Sequence, residues 1–316
     1  MDIAGKSPAT VAADDEAQAQ NAFCIDNITS QFVSAMRAVE VAPSNGTPIF
    51  ADGILHRFRV EGDKPGRRNG WYVLHSDGVP SGCFGSWKSG VTRRWCSKRK
   101  SQMTAAERRA LRQRAATAAA KRAEIEAQRH KDASVRATKL LRQSHPADPA
   151  HPYLVAKRIR PHSARQRGDL LVLRIVDFKR RTLSVQFIGP GGRKRLLKGA
   201  RKAGGFIVVA GRMPSASRIL IAEGFATGAT LAQAESDAFV LAAVDAGNLH
   251  AVAVGARRQW PTIEIVVCAD ADDVGRAKAR AAAIAAGAKL AVPEFPSGAP
   301  GSDFNDLAAL CAKEVQ

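Results

Sequence analysis

Apolar and polar positions fall into three regimes along the chain. From Pro48 to Ser97, short alternating runs (Ile49-Phe50, Ile54 to Val60, Trp71 to His75, Cys83 to Trp87) are broken by turn signals at Asp52-Gly53 and Asp77-Gly78. That pattern predicts a small antiparallel β module. From Met103 to Gln143 there is neither Gly nor Pro, and Thr104-Ala-Ala-Glu107 has the form of a capping box, which predicts one long helix. Its apolar residues beyond alanine are Leu111, Ile125, Val135, Leu140 and Leu141, so it has little to bury except near its end. Further on, Leu170 to Val176 and Leu183 to Ile188 flank Lys179-Arg180-Arg181 as a β hairpin. Aliphatic runs at Arg218 to Ala222, Phe239 to Val244, Glu264 to Ala269 and Lys289 to Val292 follow, with Ala-rich helical stretches after the first and third. Short buried strands alternating with helices predict a mostly parallel α/β sheet.

These regimes divide the chain into five segments. Residues 1–22, rich in Ala with several Asp and Gln and little to bury, are expected to be a disordered tail. Residues 23–100 hold a short helix (Phe32, Met36 and Val39 on one face) and the β module. Residues 101–143 are the long helix or linker, 144–212 a basic α+β subdomain, and 213–316 the α/β domain.

Two aliphatic runs of the last segment end abruptly in carboxylates and a glycine: Ile-Leu-Ile-Ala-Glu223-Gly224 and Val-Val-Cys-Ala-Asp270-Ala-Asp272-Asp273-Val-Gly275. A buried parallel strand delivers side chains in this way to the C-terminal edge of a sheet, where ligands of open α/β sheets bind. Alternation along a continuing strand would point Asp270 and Asp272 the same way, able to share one hard cation. An acidic cluster without His or Cys suggests Mg²⁺ or Mn²⁺ rather than zinc. Glu223, on another strand, is either a third ligand or a general acid/base.

At these residues the sequence resembles the Toprim domain, whose hallmark is a Glu-Gly after its first strand and an Asp-x-Asp after a later one. Ile-Ala-Glu-Gly-Phe-Ala-Thr-Gly, Ala-Val-Asp245-Ala-Gly247-Asn248-Leu, Gly301-Ser-Asp303-Phe-Asn-Asp306-Leu, His151-Pro-Tyr-Leu and Ser184-Val-Gln-Phe-Ile-Gly-Pro-Gly-Gly-Arg-Lys194-Arg-Leu-Leu-Lys198-Gly are similar to the Toprim primases of conjugative plasmids and phages. The resemblance covers roughly Ser144 to Leu310. It implies a DNA primase, a nucleotidyltransferase making short RNA primers on single-stranded DNA from NTPs. It also implies Glu223, Asp270 and Asp272 as catalytic residues and, with Asp303, as cation ligands. Arg193, Lys194 and Lys198 carry over as contacts to nucleotide or nucleic acid, Lys194 foremost, and Arg201 and Lys202 belong to the same basic stretch. Asp303 and Asp306 are either further cation or nucleotide contacts or a helix cap, and Asn248 either lines the cleft or caps a helix. Asp273 sits where a helix N-terminus attracts a carboxylate for its own reasons.

Charge extends this picture. The 316 residues carry 48 Lys and Arg against 29 Asp and Glu, a formal net charge of +19, which points to a polyanionic partner. From Lys157 to Lys202 there are 15 basic residues against Asp169 and Asp177, whereas Met213 to Gln316 holds 8 against 12 acidic ones. An acidic site thus follows a basic subdomain able to hold a nucleic-acid backbone and triphosphates. Gly189-Pro-Gly-Gly-Arg193 is not a P-loop, since the Gly-Lys-Ser/Thr ending is missing, and with no helicase P-loop, unwinding would fall to a partner such as a helicase or a conjugation or replication protein. In the β module, Trp71, Trp87 and Trp95 are interleaved with Arg93, Arg94 and other cations. Such residues form either a single-strand platform, with Trp71, Trp87, Arg93 and Arg94 as template contacts, or simply a core. The stretch from Lys88 to Lys139, which runs into the long helix, holds 16 basic and 4 acidic residues, and the helix is either a solvated spacer or a nucleic-acid arm.

Several classes are disfavoured. The tyrosines are Tyr72 and Tyr153, neither placed as an active-site nucleophile, which argues against a complete topoisomerase. No Cys-x-x-Cys is present, so the zinc ribbon of cellular primases has no motif here. Five scattered cysteines suit a reducing cytoplasm, and no apolar run approaches the ~18 residues of a membrane span, so a soluble cytoplasmic protein is expected. Two alternatives remain: a Toprim nuclease using the same carboxylates, and a non-catalytic single-stranded-DNA-binding protein.

Overall fold

The computed structural model describes residues 26–314, so the tail expected over 1–22 lies outside them. The chain divides between Lys121 and Arg122 into two compact units.

In the first unit, residues 26–37 are helical (α1). Strands β1 (His56–Phe58), β2 (Gly70–His75), β3 (Ser81–Ser86) and β4 (Thr92–Cys96) form an antiparallel sheet in that order. Period-two alternation is plain in β2: Gly70, Tyr72 and Leu74 are buried while Trp71, Val73 and His75 are partly exposed. Phe32 and Met36, one helical turn apart in α1, are fully buried against that inner face. The Phe32 ring meets Tyr72, Phe84 and Trp95 edge-on, with centroids at 5.9, 5.4 and 5.3 Å, so Trp95 is a core residue.

Two expectations fail here. Asp52-Gly53 is no hairpin turn: Asp52 makes an isolated bridge to His75, and its carboxylate accepts from the Ile54 amide and binds His56 Nε2, both at 2.9 Å. The local Asx geometry that makes Asp-Gly a turn signal is present, but β1 reaches β2 through residues 59–69 instead. Strand β4, Thr-Arg-Arg-Trp-Cys, was not expected at all. Its Arg93 and Arg94 read only as cations interleaved with the tryptophans, yet it is an edge strand whose ladder to β3 runs from Thr92 to Cys96.

Helix α2 (Ala105–Arg142) begins with the expected capping box: the Glu107 amide donates to Thr104 Oγ1 (3.1 Å) and the Thr104 amide to Glu107 Oε2 (2.8 Å). Its buried residues are Ala133 and Ala137, both in the second unit, where Ala137, Leu140 and Leu141 pack with Val172, Val185, Phe187 and Leu197.

The second unit is built on one ten-stranded sheet. Its antiparallel half holds β5 (His145–Pro146), β6 (Arg165–Arg167), β7 (Leu170–Val176), β8 (Thr182–Ile188), β9 (Lys194–Leu196) and β10 (Phe206–Ala210), with the six-residue helix α3 (Pro152–Lys157) between β5 and β6. The other half is parallel: β14 (Lys289–Ala291), β13 (Glu264–Cys268), β11 (Arg218–Ala222) and β12 (Phe239–Ala242), in that spatial order. Strand β10 pairs with both β7 and β12, so the sheet runs unbroken across the charge reversal near residue 212.

Strand β11 explains why the parallel half reads as uniform aliphatic sequence. Leu220 and Ala222 point into the core on one face, with Phe225, Ala226 and Ala229 of helix α4 (Phe225–Ala234). Ile219 and Ile221 point into the other, with Leu249, Val252, Ala253 and Ala256 of helix α5 (Leu249–Gln259) and Ala279, Ala282, Ala283 and Ala286 of helix α6 (Asp273–Ala286). The i, i+3, i+4, i+7 spacing of those four alanines makes a single smooth face on α6. Helix α7 (Phe304–Glu314) closes the described chain and packs on α4. Among the described residues no helix is long and apolar enough to cross a membrane.

Candidate active site

Parallel registry sets the site. Ala222 of β11 pairs with Ala242 of β12 and with Cys268 of β13, so the three strands end level with one another. Glu223, Asp245 and Asp270, one to three positions beyond those ends, therefore emerge along one edge. Val244 holds φ +78°, a rare conformation for a β-branched residue, at the turn that leads into Asp245.

Strand β13 stops at Cys268, so strand alternation is not what aligns Asp270 with Asp272. A turn does so instead. Asp272 caps α6, its Oδ1 accepting from the Gly275 amide at 2.8 Å. Gly275 makes this turn possible: a Cβ there would lie 3.2 Å from both Asp270 Cβ and Asp272 Oδ2 and 3.1 Å from the Asp270 carbonyl. Asp273 is the first residue of α6, where its charge suits the helix N-terminus.

Asp270 is the electrostatic centre. Burial, followed by the negative charges of Glu223, Asp303 and Asp272, pushes its carboxyl up to about 7, against the opposing pull of Lys194. Its Oδ1 is buried with no hydrogen-bond partner. Burial also raises the Glu223 carboxyl, helped by Asp272 and Asp245 and opposed by the Ala246 amide and Lys194. Asp303 Oδ1 accepts from the Asp306 amide (2.9 Å) and Oδ2 from Thr227 Oγ1 (3.2 Å), so it caps α7 while adding to the charge around Asp270. Asp306 accepts from the Ser302 amide (3.0 Å) and pairs with Lys157 at 3.3 Å.

The four expected cation ligands thus share one neighbourhood without forming a ligand shell. Among the described residues no three His, Cys, Asp or Glu side chains are arranged to hold a metal ion, and Asp272 and Asp303 each place an oxygen on a helix amide. The donor set nevertheless fits a hard divalent cation: oxygen-only ligands, the Asp270 and Glu223 carboxyls pushed up by burial and by neighbouring negative charge, and one orphaned buried carboxylate oxygen are what a bound cation would relieve.

Two of the five basic candidates reach this edge. A Cβ on Gly224 would lie 3.6 Å from Lys194 Nζ, which places that ammonium over the start of α4, a helix with no side-chain cap. Lys202 Nζ pairs with Asp245 Oδ2 at 2.6 Å, and both line a cleft of about 460 Å³ with Glu223, Asp272, Gly275 and Lys278. Arg193, Lys198 and Arg201 are exposed on the same segment, with Lys198 tethered through its carbonyl to Arg136.

Asn248 is a positioning residue that the sequence left ambiguous. It sits at the N-cap of α5 without a side-chain capping bond. Buried instead, it accepts from the Gly204 amide (2.9 Å) and donates to the carbonyls of Gly205 (2.7 Å) and Ala243 (2.9 Å), stitching the loop that carries Lys202 to the end of β12. His151 is likewise structural: Nδ1 accepts from the Tyr153 amide and Nε2 donates to the Asp169 carbonyl. Tyr153 is buried, its hydroxyl pushed up to about 12 by burial and by Asp303.

In the first unit, Trp71 and Trp87 lie with ring centroids 5.9 Å apart, and the Arg57 guanidinium stands 4.6 Å over the Trp87 ring. Arg93 and Arg94 fall on opposite faces of β4, since Arg93 pairs with Phe84 of the inner face and Arg94 with Cys83.

Residues 218–314 match the Toprim domain family. Over 284 residues the chain is 34% identical to a DNA primase TraC of Escherichia coli, covering 85% of this chain and 26% of that protein. A second TraC primase of Escherichia coli is 32% identical over 282 residues, covering 84% of this chain and 19% of the relative. The chain therefore spans about a quarter or less of the length of the curated relatives it matches. The primase fragment of the bacteriophage T7 primase-helicase protein is a distant structural likeness, with a TM-score of 0.41 and 14% identity over 51% of this chain and 70% of that one, too loose to carry weight. The strand-end carboxylates and the family match coincide: residues 218–314, which match the Toprim domain family, hold Glu223, Asp270, Asp272 and Asp303.

Proposed function

We propose that this protein is a DNA primase that makes short RNA primers on a single-stranded DNA template by nucleotidyl transfer at the Glu223–Asp270–Asp272 edge. The observation that carries this reading is Asp270: a half-buried carboxylate with an orphaned oxygen, crowded by three other carboxylates and faced by Lys194. Such a cluster is costly unless a cation joins it. The similarity to TraC primases along most of the chain favours bond making over the bond breaking of a Toprim nuclease.

Glu223, Asp270 and Asp272, with Asp303, would hold Mg²⁺ or Mn²⁺, which supplies charge stabilisation for an attacking 3′-hydroxyl and a leaving pyrophosphate. Glu223, its carboxyl held above the ordinary range by burial and so a stronger base, would take the proton from that hydroxyl. Lys194 and Lys202 would meet the triphosphate, the latter by exchanging Asp245 for phosphate oxygens. Arg193, Lys198 and Arg201 extend the same basic segment and would follow the template backbone. A replicative helicase or a conjugation or replication protein would expose the template.

The test is incubation with single-stranded DNA, labelled NTPs and Mg²⁺ or Mn²⁺, beside Asp270→Ala and Glu223→Ala. Short labelled RNA that disappears in both variants is the expected result. Shortened DNA without incorporation would establish the nuclease instead.

A further inference from the structure

The outward face of the first unit's sheet is built unlike an ordinary solvated face. Its register sets Arg57 opposite Trp71, Trp71 opposite Gly85, and Gly85 opposite Thr92, one row of side chains crossing all four strands. The next row on this face ends in Arg94. Tyr72, Phe84, Leu74 and Trp95 point the other way, into the core beneath α1.

Gly85 determines how Trp71 lies. A Cβ on Gly85 would run into the Val91 carbonyl oxygen and would sit 2.9 and 3.0 Å from Cζ2 and Cε2 of the indole, so the ring lies against the strand beside a space that no side chain could share. Trp87 follows β3 with its amide bonded to the Asn69 carbonyl (3.0 Å), and its ring is tilted 35° to that of Trp71. Arg57 covers the Trp87 ring and donates to the Arg68 carbonyl at 2.9 Å. The result is two adjacent indoles, one of them 54% exposed, fixed by backbone and guanidinium contacts. Residues 57–96 carry 8 Lys and Arg against 3 Asp and Glu, and one of those acids, Asp63, is taken up by Lys88 and Asn69.

We propose that Arg57, Trp71 and Trp87 form a stacking platform for a single-stranded nucleic acid, with Arg94 and the arginines of the 67–68 loop holding its phosphates. Every base has a flat π face for an indole, and the surrounding cations match a phosphate backbone and no neutral ligand. Bases stacked within a duplex are not available to such rings. Arg93, on the α1 side of the sheet, takes no part. Nothing in this placement depends on the carboxylates of the second unit.

The test uses the full chain carrying Asp270→Ala, so that its outcome is independent of catalysis. Affinity for an oligothymidylate and an oligouridylate of about ten nucleotides, and for a duplex of similar length, is measured by fluorescence anisotropy. Trp87→Ala and Arg57→Ala should each weaken single-strand binding by about ten-fold, the size of one lost base–aromatic stack, and leave duplex binding unchanged. Trp87→Phe should retain most of the affinity. Loss on either oligonucleotide supports the platform, and comparison of the two says whether DNA or RNA is preferred. Trp87→Ala and Arg57→Ala proteins that bind both single strands as tightly as the parent would overturn it. Thermal unfolding of each variant guards against misfolding. Arg57 is exposed and outside the core, so Arg57→Ala decides the matter if Trp87→Ala is unstable.

Discussion

Lys202 reaches across the mouth of the cleft to Asp245, Nζ to Oδ2 at 2.6 Å, and Asn248 holds the loop from which it reaches. A lysine held this way is close to where a triphosphate would arrive, so little loop ordering remains when the nucleotide binds. Lys202→Met should raise KM for NTP about ten-fold with little change in kcat or stability. Asn248→Ala should do the same and also cost about 2–3 kcal/mol, because it leaves the Gly204 amide and two carbonyls without their partner in a buried place. Steady-state kinetics with denaturant unfolding separates the two effects.

Gly275 offers a substitution that should separate activity from stability. Alanine is the better helix residue by about 1 kcal/mol, which offsets the crowding against Asp270 and Asp272 at 3.1–3.2 Å. Gly275→Ala should therefore change stability by less than about 1 kcal/mol, while displacing the two carboxylates lowers primer synthesis roughly ten- to hundred-fold. Equal activity with unchanged stability would mean that the turn tolerates a Cβ and does not set the site.

Asp270 should leave a signature in stability against pH. Its folded carboxyl is pushed up to about 7 from an ordinary 3.8, so between those values the folded state keeps a proton that the unfolded state has released. Stability of the metal-free protein should therefore decline as pH rises through that window and level off above it. Denaturation in a chelator at about pH 5 and about pH 8 should show a larger fall for the wild type than for Asp270→Asn, and Mg²⁺ should narrow the difference at the higher pH. Equal falls in the two proteins would remove Asp270 from the centre of the cluster.

Much of the parallel half was legible because β11 and β13 are buried on both faces and end in carboxylates. Aliphatic run, acid and glycine are consecutive in the sequence, so chemistry and position could be read together. The hairpin Leu170–Val176 with Thr182–Ile188 was equally plain, its turn fixed where Asp177 accepts from the Lys179 and Arg181 amides. What could not be read depends on distant pairing. Strand β4 exists because β3 offers it a ladder, although its own residues are cations. Asn248 contacts residues 202–205, more than forty positions away, and no local pattern announces such a stitch. Asp272 and Asp303 showed the converse: each doubles as a helix cap, so the sequence placed them at the site but not with their oxygens free. The tryptophans, which sequence could not divide between core and surface, separate once strand register is known, Trp95 inward and Trp71 outward.

Extension of a short RNA annealed to a DNA template, supplied with one labelled NTP at a time, tests the assignment of this edge to templated nucleotidyl transfer most directly. It bypasses the initiation sequence and asks only whether a 3′-hydroxyl is joined to the nucleotide that the template specifies. The account predicts that the complementary NTP alone is added, that addition requires Mg²⁺ or Mn²⁺, and that Asp270→Ala abolishes it. No extension with any of the four NTPs in the presence of either cation, from a protein that still folds and binds the template, would contradict it.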